Sequence, residues 1–388
     1  MCMSEENTVS VIICVYNTKI EYLKTALDSI LNQTYHSIEL IIIDDASEQW
    51  CSDFLTAYKQ QSEENHQEKK LILLRNLRNK GLTESLNIAL GKASGKYIAR
   101  MDADDICLPE RIEKQVAYME RHAKIDVLAC GAYVYEGKTL FPRVSDVKRN
   151  KQFAGIYRKF ENERMRIRLS FSNIEFTHPT VMFRKEFLEK NRLSYDATIK
   201  KAQDYDMWVK CIECGTLDSL QEVLFISRIH DGQIGTAQAG EQRHFADMIK
   251  IKCLKRLLPE TSENQEKLYA VMRDTKLTGT IYDNMNLIKE LVSANEKKEI
   301  YDSEIYKEEL FFWWLRKALY RENRNFGKKL LHDSYMAYNI RKIFVPQLFR
   351  YIMDNLYKKS MQLKWSRKLE EKLENYEKDI LKNEWSLW

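Results

Sequence analysis

An α/β fold with a mostly parallel sheet, followed by a helical region, is what the sequence predicts, and three observations carry it. Short continuous apolar runs of strand length alternate with stretches of helical periodicity up to residue 102. Carboxylates stand at the ends of two of these runs, Asp44-Asp45 and Asp102-Ala103-Asp104-Asp105. From about residue 241 the pattern is helical and charged, without strand signals.

Each element follows from its side chains. Val9–Val15 is apolar almost throughout, as expected of a parallel strand buried on both faces, and Tyr16-Asn17-Thr18 then reads as a turn. Ile20, Leu23, Leu27, Ile30 and Leu31 recur at helical spacing. Leu40–Ile43 is a second buried strand ending in Asp44-Asp45-Ala46-Ser47, which completes one β-α-β unit with carboxylates at its tip. Leu71–Leu74 gives a third strand, and Leu82–Leu90 a helix with Leu82, Leu86, Ala89 and Leu90 on one face. The run Lys96–Met101 is a strand that delivers the cluster of aspartates, and Pro109 beyond it signals the start of a helix. In such a sheet ligands bind at the carboxyl ends of the strands, so the two acidic tips converge on one edge.

Composition narrows the function classes. The 388 residues are 44% hydrophobic and 31% charged with 12 Gly and 5 Pro, which excludes a disordered or fibrous chain. No apolar run reaches the roughly 18 residues that span a bilayer, and Met1–Glu6 lacks the basic and apolar character of a signal peptide, so a cytoplasmic protein is expected. The eight cysteines show no disulfide framework, which fits a reducing compartment. Cys211-x-x-Cys214 has no second pair at zinc spacing and is expected to be two structural thiols.

Three carboxylates within four residues repel one another, and at a sheet's edge a hard divalent cation such as Mg2+ or Mn2+ compensates them and bridges to a diphosphate. A solvated acidic turn or a helix cap would use the same residues. The first β-α turn holds neither G-x-G-x-x-G nor a P-loop, which argues against dinucleotide oxidoreductases and P-loop NTPases.

Over about residues 8–235 the chain resembles the glycosyltransferase family 2 enzymes with the GT-A fold. The resemblance rests on blocks in the right order: VSVIICVYN (9–17), SILNQTYHSIELIIIDDAS (29–47), NKGLTESLNIAL (79–90), YIARMDADDICLPERI (97–112), HPTVMFRKEFL (178–188), QDYDMW (203–208) and RIHDG (228–232). It implies a GT-A domain over 1–240, a Rossmann-like fold for nucleotide-diphosphate sugars, and a mostly α-helical region over 241–388. Cys14, Tyr16 and Asn17 would lie against the base, and Asp45 resembles the aspartate that hydrogen-bonds a uracil-type base. Asn79, Gly81 and Asn87 would shape the nucleotide pocket, or serve as turn and helix-packing residues. Asp102-Ala103-Asp104 matches the D-x-D motif, with Asp104 the metal ligand and Asp102 nearer sugar or ribose; Asp105 would support the metal or cap the following helix. Asp204 matches the aspartate of the family's "ED" motif, the general base, with Gln203 where Glu is common; Asp206 is expected as a helix-start residue. His230 resembles the late histidine that touches metal or diphosphate, and His178 would belong to an acceptor-side loop.

The implied reaction is a single inverting displacement: a sugar passes from a nucleotide diphosphate sugar, UDP-sugar favoured, to a hydroxyl of a glycan or lipid-linked saccharide, as in bacterial surface polysaccharide synthesis. The cofactor implied is Mn2+ or Mg2+. The choice of sugar and acceptor is expected in loops between 131 and 200.

Residues 311–368 hold 14 Lys or Arg against 3 Asp or Glu, and 13 aromatics beginning with Phe311-Phe312-Trp313-Trp314, although the whole chain is only +5. Such interleaving suits an anionic inner-leaflet surface, or a helical core with a solvated lysine face. No nucleic-acid motif accompanies the charge, so nucleic acid is not expected as a partner. Glu370–Trp388 alternates charges and reads as a pairing helix that would support a homo-oligomer. The reading from another class is a noncatalytic scaffold or membrane-interaction protein on a degenerate sugar-nucleotide fold; Asp45, Asp102, Asp104 and Asp204, all present, argue against it.

Overall fold

The computed structural model describes residues 7–65, 69–135, 162–174, 176–230, 239–258 and 281–318. Its first half alternates as expected: β1 (Val9–Val15), α1 (Ile20–Leu31), β2 (Ile38–Asp44), α2 (Gln49–Asn65), β3 (Lys70–Arg75), α3 (Leu82–Lys92) and β4 (Tyr97–Asp102). β5 (Ile106–Cys107), α4 (Arg111–Arg121) and β6 (Val127–Tyr135) follow, then α5 (Asn162–Leu169), a 3-10 turn (His178–Thr180), β7 (Met182–Arg184), α6 (Lys185–Lys190), α7 (Gln203–Cys214) and β8 (Leu217–Arg228). The helices α8 (Ala239–Leu254), α9 (Ile281–Lys298) and α10 (Ser303–Ala318) complete the described chain.

One eight-stranded sheet runs in the order β3-β2-β1-β4-β7-β6-β8-β5. β3, β2, β1 and β4 are parallel, β7 is antiparallel to both β4 and β6, and β6 is parallel to β8. β1 lies between the two acidic tips, with Val15 opposite Asp44 on one side and Cys14 opposite Asp102 on the other. The strands are apolar on both faces because both are covered. Leu23, Leu27, Leu55, Ile112 and Met119 of α1, α2 and α4 pack on one face, and Leu86, Tyr205, Trp208 and Ile212 of α3 and α7 on the other.

A buried polar network ties the strands together away from the acidic edge. Glu39 on β2 accepts from Ser10 Oγ at 2.8 Å, Lys70 Nζ at 2.9 Å, and Ser94 N and Oγ at 2.9 Å each. Gly95 presses β4 onto β1 so closely that an added Cβ would lie 2.6 Å from Thr8 O and 2.7 Å from Ser10 N. Backbone cannot yield as a flexible side chain does, so Gly95→Ala is expected to lower stability by about 1–3 kcal/mol, read as a lower urea midpoint with unchanged slope.

Under the site, the buried Arg111 guanidinium donates to Arg100 O at 3.0 Å, and Gln115 bridges to Leu128 O and Thr180 O at 3.1 and 2.9 Å. These bonds fix α4 against the sheet and keep its polar groups satisfied.

Between residues 131 and 200 the described chain holds, besides loops, the end of β6, α5, the 3-10 turn, β7 and α6. The helices after residue 240 share a core with α5: Ile167 and Phe171 pack with Leu254, Leu257, Leu291, Tyr306, Leu310 and Phe311. On α8, Ile249, Ile251 and Leu254 are buried, whereas Met248 is 43% exposed. Phe311 is buried and Trp313 packs on this helical core, so these two residues of the aromatic-basic stretch face protein. Residues 319–368 and Glu370–Trp388 lie outside the described residues. Among the described residues no helix is long and apolar enough to cross a membrane, and every cysteine is a free thiol.

Candidate active site

The carboxyl end of β1 is stitched to the turn after β2. Asn17, at φ +50°, donates its N–H to Ser47 Oγ at 3.0 Å and accepts from Glu48 N at 2.7 Å. Cys14 is half-buried, and burial, opposed by the Arg100 charge, pushes its thiol up to about 12, which leaves it protonated and unreactive near neutral pH. Tyr16 is 54% exposed at this edge.

Asp45 is buried and anchors the loop between β3 and α3. Its carboxylate accepts from Asn76 Nδ2 at 2.7 Å, Lys80 N at 2.9 Å and Gly81 N at 2.8 Å. Three of about four lone-pair positions are thereby used, so a base would find one further acceptor position. Gly81 starts α3 at φ +85°, where a side chain would be strained, and Asn79 stands exposed two residues before it. Asn87 exchanges two hydrogen bonds with the Tyr195 backbone, at 2.8 and 2.9 Å, and is a packing residue.

At the end of β4, Arg100 and Asp102 project on the same face, two residues apart. Both terminal nitrogens of the buried Arg100 guanidinium bind the Asp102 carboxylate, one at 2.8 Å. Among the described residues the Nε of Arg100 has no hydrogen-bond partner. Ala103 is buried behind the turn. Asp105 does not cap α4. It is buried and accepts the Arg228 N–H at 2.8 Å, while Arg228 Nε donates to Asp104 O at 3.0 Å. The Arg228 guanidinium lies 4.5 Å from the Tyr22 ring centre and 5.8 Å from that of Tyr135, a cation held between aromatic faces. His230 Nε2 is 2.9 Å from Asp104 Oδ2.

The oxygens of Asp102, Asp104 and Asp105 can all be chosen within 4.8 Å of one another. Burial raises the Asp105 pKa well above the ordinary carboxylate value, and the charges of Asp104 and Asp102 add to it. Asp102 is raised by burial too, against the lowering effect of Arg100. Carboxylates driven toward protonation in this way would be relieved by a bound cation, so the donor set fits a hard divalent ion.

Asp204 lies in the first turn of α7, just after Ala202 at φ +58°. Burial raises its pKa, and the nearby Tyr205 N–H, the Arg100 charge and the Asn173 amide oppose the rise. Asp206 is buried and ion-paired with Lys210 at 2.6 Å, one helical turn on. Gln203 is half-buried at the helix start. His178 is no loop residue: it is buried with Nε2 2.8 Å from Tyr195 Oη and its ring edge-on to Trp208, and burial with the Arg100 charge keeps it neutral.

The family model for glycosyl transferase family 2 matches residues 10–192. An uncharacterized glycosyltransferase of Methanocaldococcus jannaschii is 34% identical over 224 residues, 57% of this chain and 70% of that protein. The chain belongs to glycosyltransferase family 2. Another relative of this family 2 protein is the O-antigen biosynthesis glycosyltransferase WbnJ of Escherichia coli, 32% identical over 58% of this chain and 80% of WbnJ. Among solved structures, residues 1–349 of S. aureus TarS in complex with UDP-GlcNAc superpose with a TM-score of 0.51 at 16% identity, covering 81% of this chain and 93% of that one. The sheet of this family 2 glycosyltransferase is that of the GT-A fold.

Within it, Cys14, Asp45, Asp102, Asp104 and His230 gather around the carboxyl ends of β1, β2, β4 and β8. Asp204 reaches the same region from α7, near enough for its charge to act on Asp102. Two residues went unseen in the sequence. Arg100 was legible as a lone cation in an apolar strand, spaced to share a face with Asp102. Asn173 carried no signal, because only tertiary packing brings it to Asp204.

Proposed function

We propose that this glycosyltransferase transfers a sugar from a UDP-sugar to a hydroxyl of a glycan or lipid-linked saccharide, with inversion at the anomeric carbon. The observation that carries the reading is the meeting of the Asp102, Asp104 and Asp105 cluster at the end of β4 with Asp204, a separate carboxylate from helix α7, within the field of one buried Arg100.

Asp204 accepts the acceptor hydroxyl's proton as the new glycosidic bond forms, because a neutral hydroxyl is a weak nucleophile. Asp104 and His230, with Asp102 and Asp105 beside them, would hold Mn2+ or Mg2+, which supplies charge to offset the departing diphosphate. Arg100 opposes the effect of burial on Asp102 and fixes its carboxylate, and Arg228 holds the Asp104-Asp105 turn. Cys14, Tyr16, Asn17, Asp45, Asn79, Gly81 and Ala103 would line the nucleotide side.

TarS binds UDP-GlcNAc on a matching fold, which supports a UDP-sugar. WbnJ and the amylovoran biosynthesis glycosyltransferase AmsE of Erwinia amylovora, 29% identical over 68% of this chain, support a polysaccharide product. The domain division at 240, a cytoplasmic location and docking of residues 319–368 to an anionic inner leaflet belong to the same proposal. Thermal-shift titration with UDP, GDP, CDP and dTDP, each with and without Mn2+, is expected to show metal-dependent stabilisation by UDP above the others. No stabilisation by any of the four would contradict the reading.

A further inference from the structure

Helix α1 lays one stripe of side chains along the strand pair that carries the aspartate turn. Tyr22, Ala26 and Ser29, four and three residues apart, share a face of the helix. Ser29 Oγ accepts the Cys107 N–H of β5 at 3.1 Å, and β5 pairs antiparallel with β8, Ile106 opposite Ile226 and Cys107 opposite Phe225. α1 is thereby registered on the ribbon that holds Asp104 and Asp105 before β5 and Arg228 at the end of β8. Helical side chains tilt toward the helix N-terminus, which here is the carboxyl edge of the sheet, so Tyr22 in the first turn of α1 reaches that cluster.

The half-buried Tyr22 ring lies 5.2 Å, centre to centre, from the His230 ring, and the buried Arg228 guanidinium stands 4.5 Å from the same Tyr22 ring. The backbone just before His230 is fixed by the Ile229 N–H, which donates to Tyr135 O at 2.8 Å. Side-chain contacts then set the direction of the imidazole, with Tyr22 beside the ring and Asp104 Oδ2 2.9 Å from Nε2.

We infer that Tyr22 is a positioning residue for the cation site: its ring holds the His230 imidazole with Nε2 toward Asp104. The inference rests on the proposed reading of Asp104 and His230 as ligands of Mn2+ or Mg2+. A ligand side chain already held in one direction loses less freedom when the ion binds, and removing such a support costs about 10–100-fold in metal affinity.

The test is isothermal titration of UDP into the full chain, with Mn2+ and with chelator. Tyr22→Leu is expected to lower UDP affinity in Mn2+ about tenfold and to leave affinity in chelator within about twofold. The contacts to His230 and Arg228 are made by the aromatic ring, so Tyr22→Phe should stay within about twofold of wild type in both conditions. In a His230→Ala background, which has itself lost affinity in Mn2+, Tyr22→Leu should add less than about twofold. Tyr22→Met replaces Tyr22→Leu if thermal melting shows that variant to be unfolded.

Unchanged affinity in Tyr22→Leu would overturn the inference. So would an equal loss in chelator, failure of Tyr22→Phe to restore affinity, or the same tenfold loss in the His230→Ala background, which would mark Tyr22 as packing alone. His230→Ala separates the two layers. If it loses affinity in Mn2+ while Tyr22→Leu keeps it, only the positioning inference fails; if it binds UDP as wild type does, or Mn2+ adds nothing to wild-type binding, the ligand reading falls and the inference with it.

Discussion

Asp204→Asn is expected to lower kcat by about 10²–10⁴-fold while leaving Mn2+-dependent UDP binding nearly intact. The amide has the shape of the carboxylate and keeps a carbonyl oxygen at the same place, so α7 should start as before. What it loses is the ability to take a proton. Because burial raises the Asp204 pKa, the carboxylate is protonated, and so useless as a base, at a pH where an ordinary aspartate is still ionised. The wild-type rate should therefore fall as pH falls, through an apparent pKa above the usual aspartate value, and the residual rate of the Asp204→Asn variant should lack that limb. A pH–rate profile with steady-state kinetics on both proteins reads this out, and near-normal turnover by Asp204→Asn would remove the base assignment.

Asp104→Ala is expected to act on binding. Its carboxylate is partly exposed and meets His230, while the turn around it is held by Asp105 and by the bond from Arg228 Nε to the Asp104 main-chain oxygen, which the substitution keeps. The fold should survive. The cation site would lose a ligand, and since even supporting residues of metal sites cost about 10–100-fold in metal affinity, UDP affinity in Mn2+ should drop by about 100-fold or more. Affinity without metal should hardly change. Isothermal titration of UDP into both proteins, with Mn2+ and with chelator, measures the four values. Equal loss of UDP binding in Asp104→Ala and Asp204→Asn would contradict the division of roles.

The parallel half of the sheet was legible because strands buried on both faces must be apolar throughout, as Val9–Val15 and Ile38–Ile43 nearly are. The other half was not. β7 has three residues, and β8 opens with Leu217-Asp218-Ser219-Leu220-Gln221-Glu222, which lacks a clean alternation, while its pairing with β6 is broken by register shifts around Gly131. At the site, Asp45, Asp102, Asp104 and Asp204 were readable because they stand at strand ends or helix starts in recognisable blocks. His178 misled, since a histidine before proline looks like loop and only the packing of Trp208 and Tyr195 buries it. Asp105 looked like a helix cap but bonds Arg228, 123 residues away in the chain. Contacts of that range leave no local pattern.

Release of UDP from UDP-glucose, UDP-galactose and UDP-N-acetylglucosamine by the wild-type protein, measured with Mn2+ and with chelator, tests metal-assisted transfer most directly. The expected result is turnover of at least one donor that needs the metal and disappears in Asp204→Asn. Turnover that persists with chelator and in Asp204→Asn, or none from a protein that binds UDP with Mn2+, would contradict it.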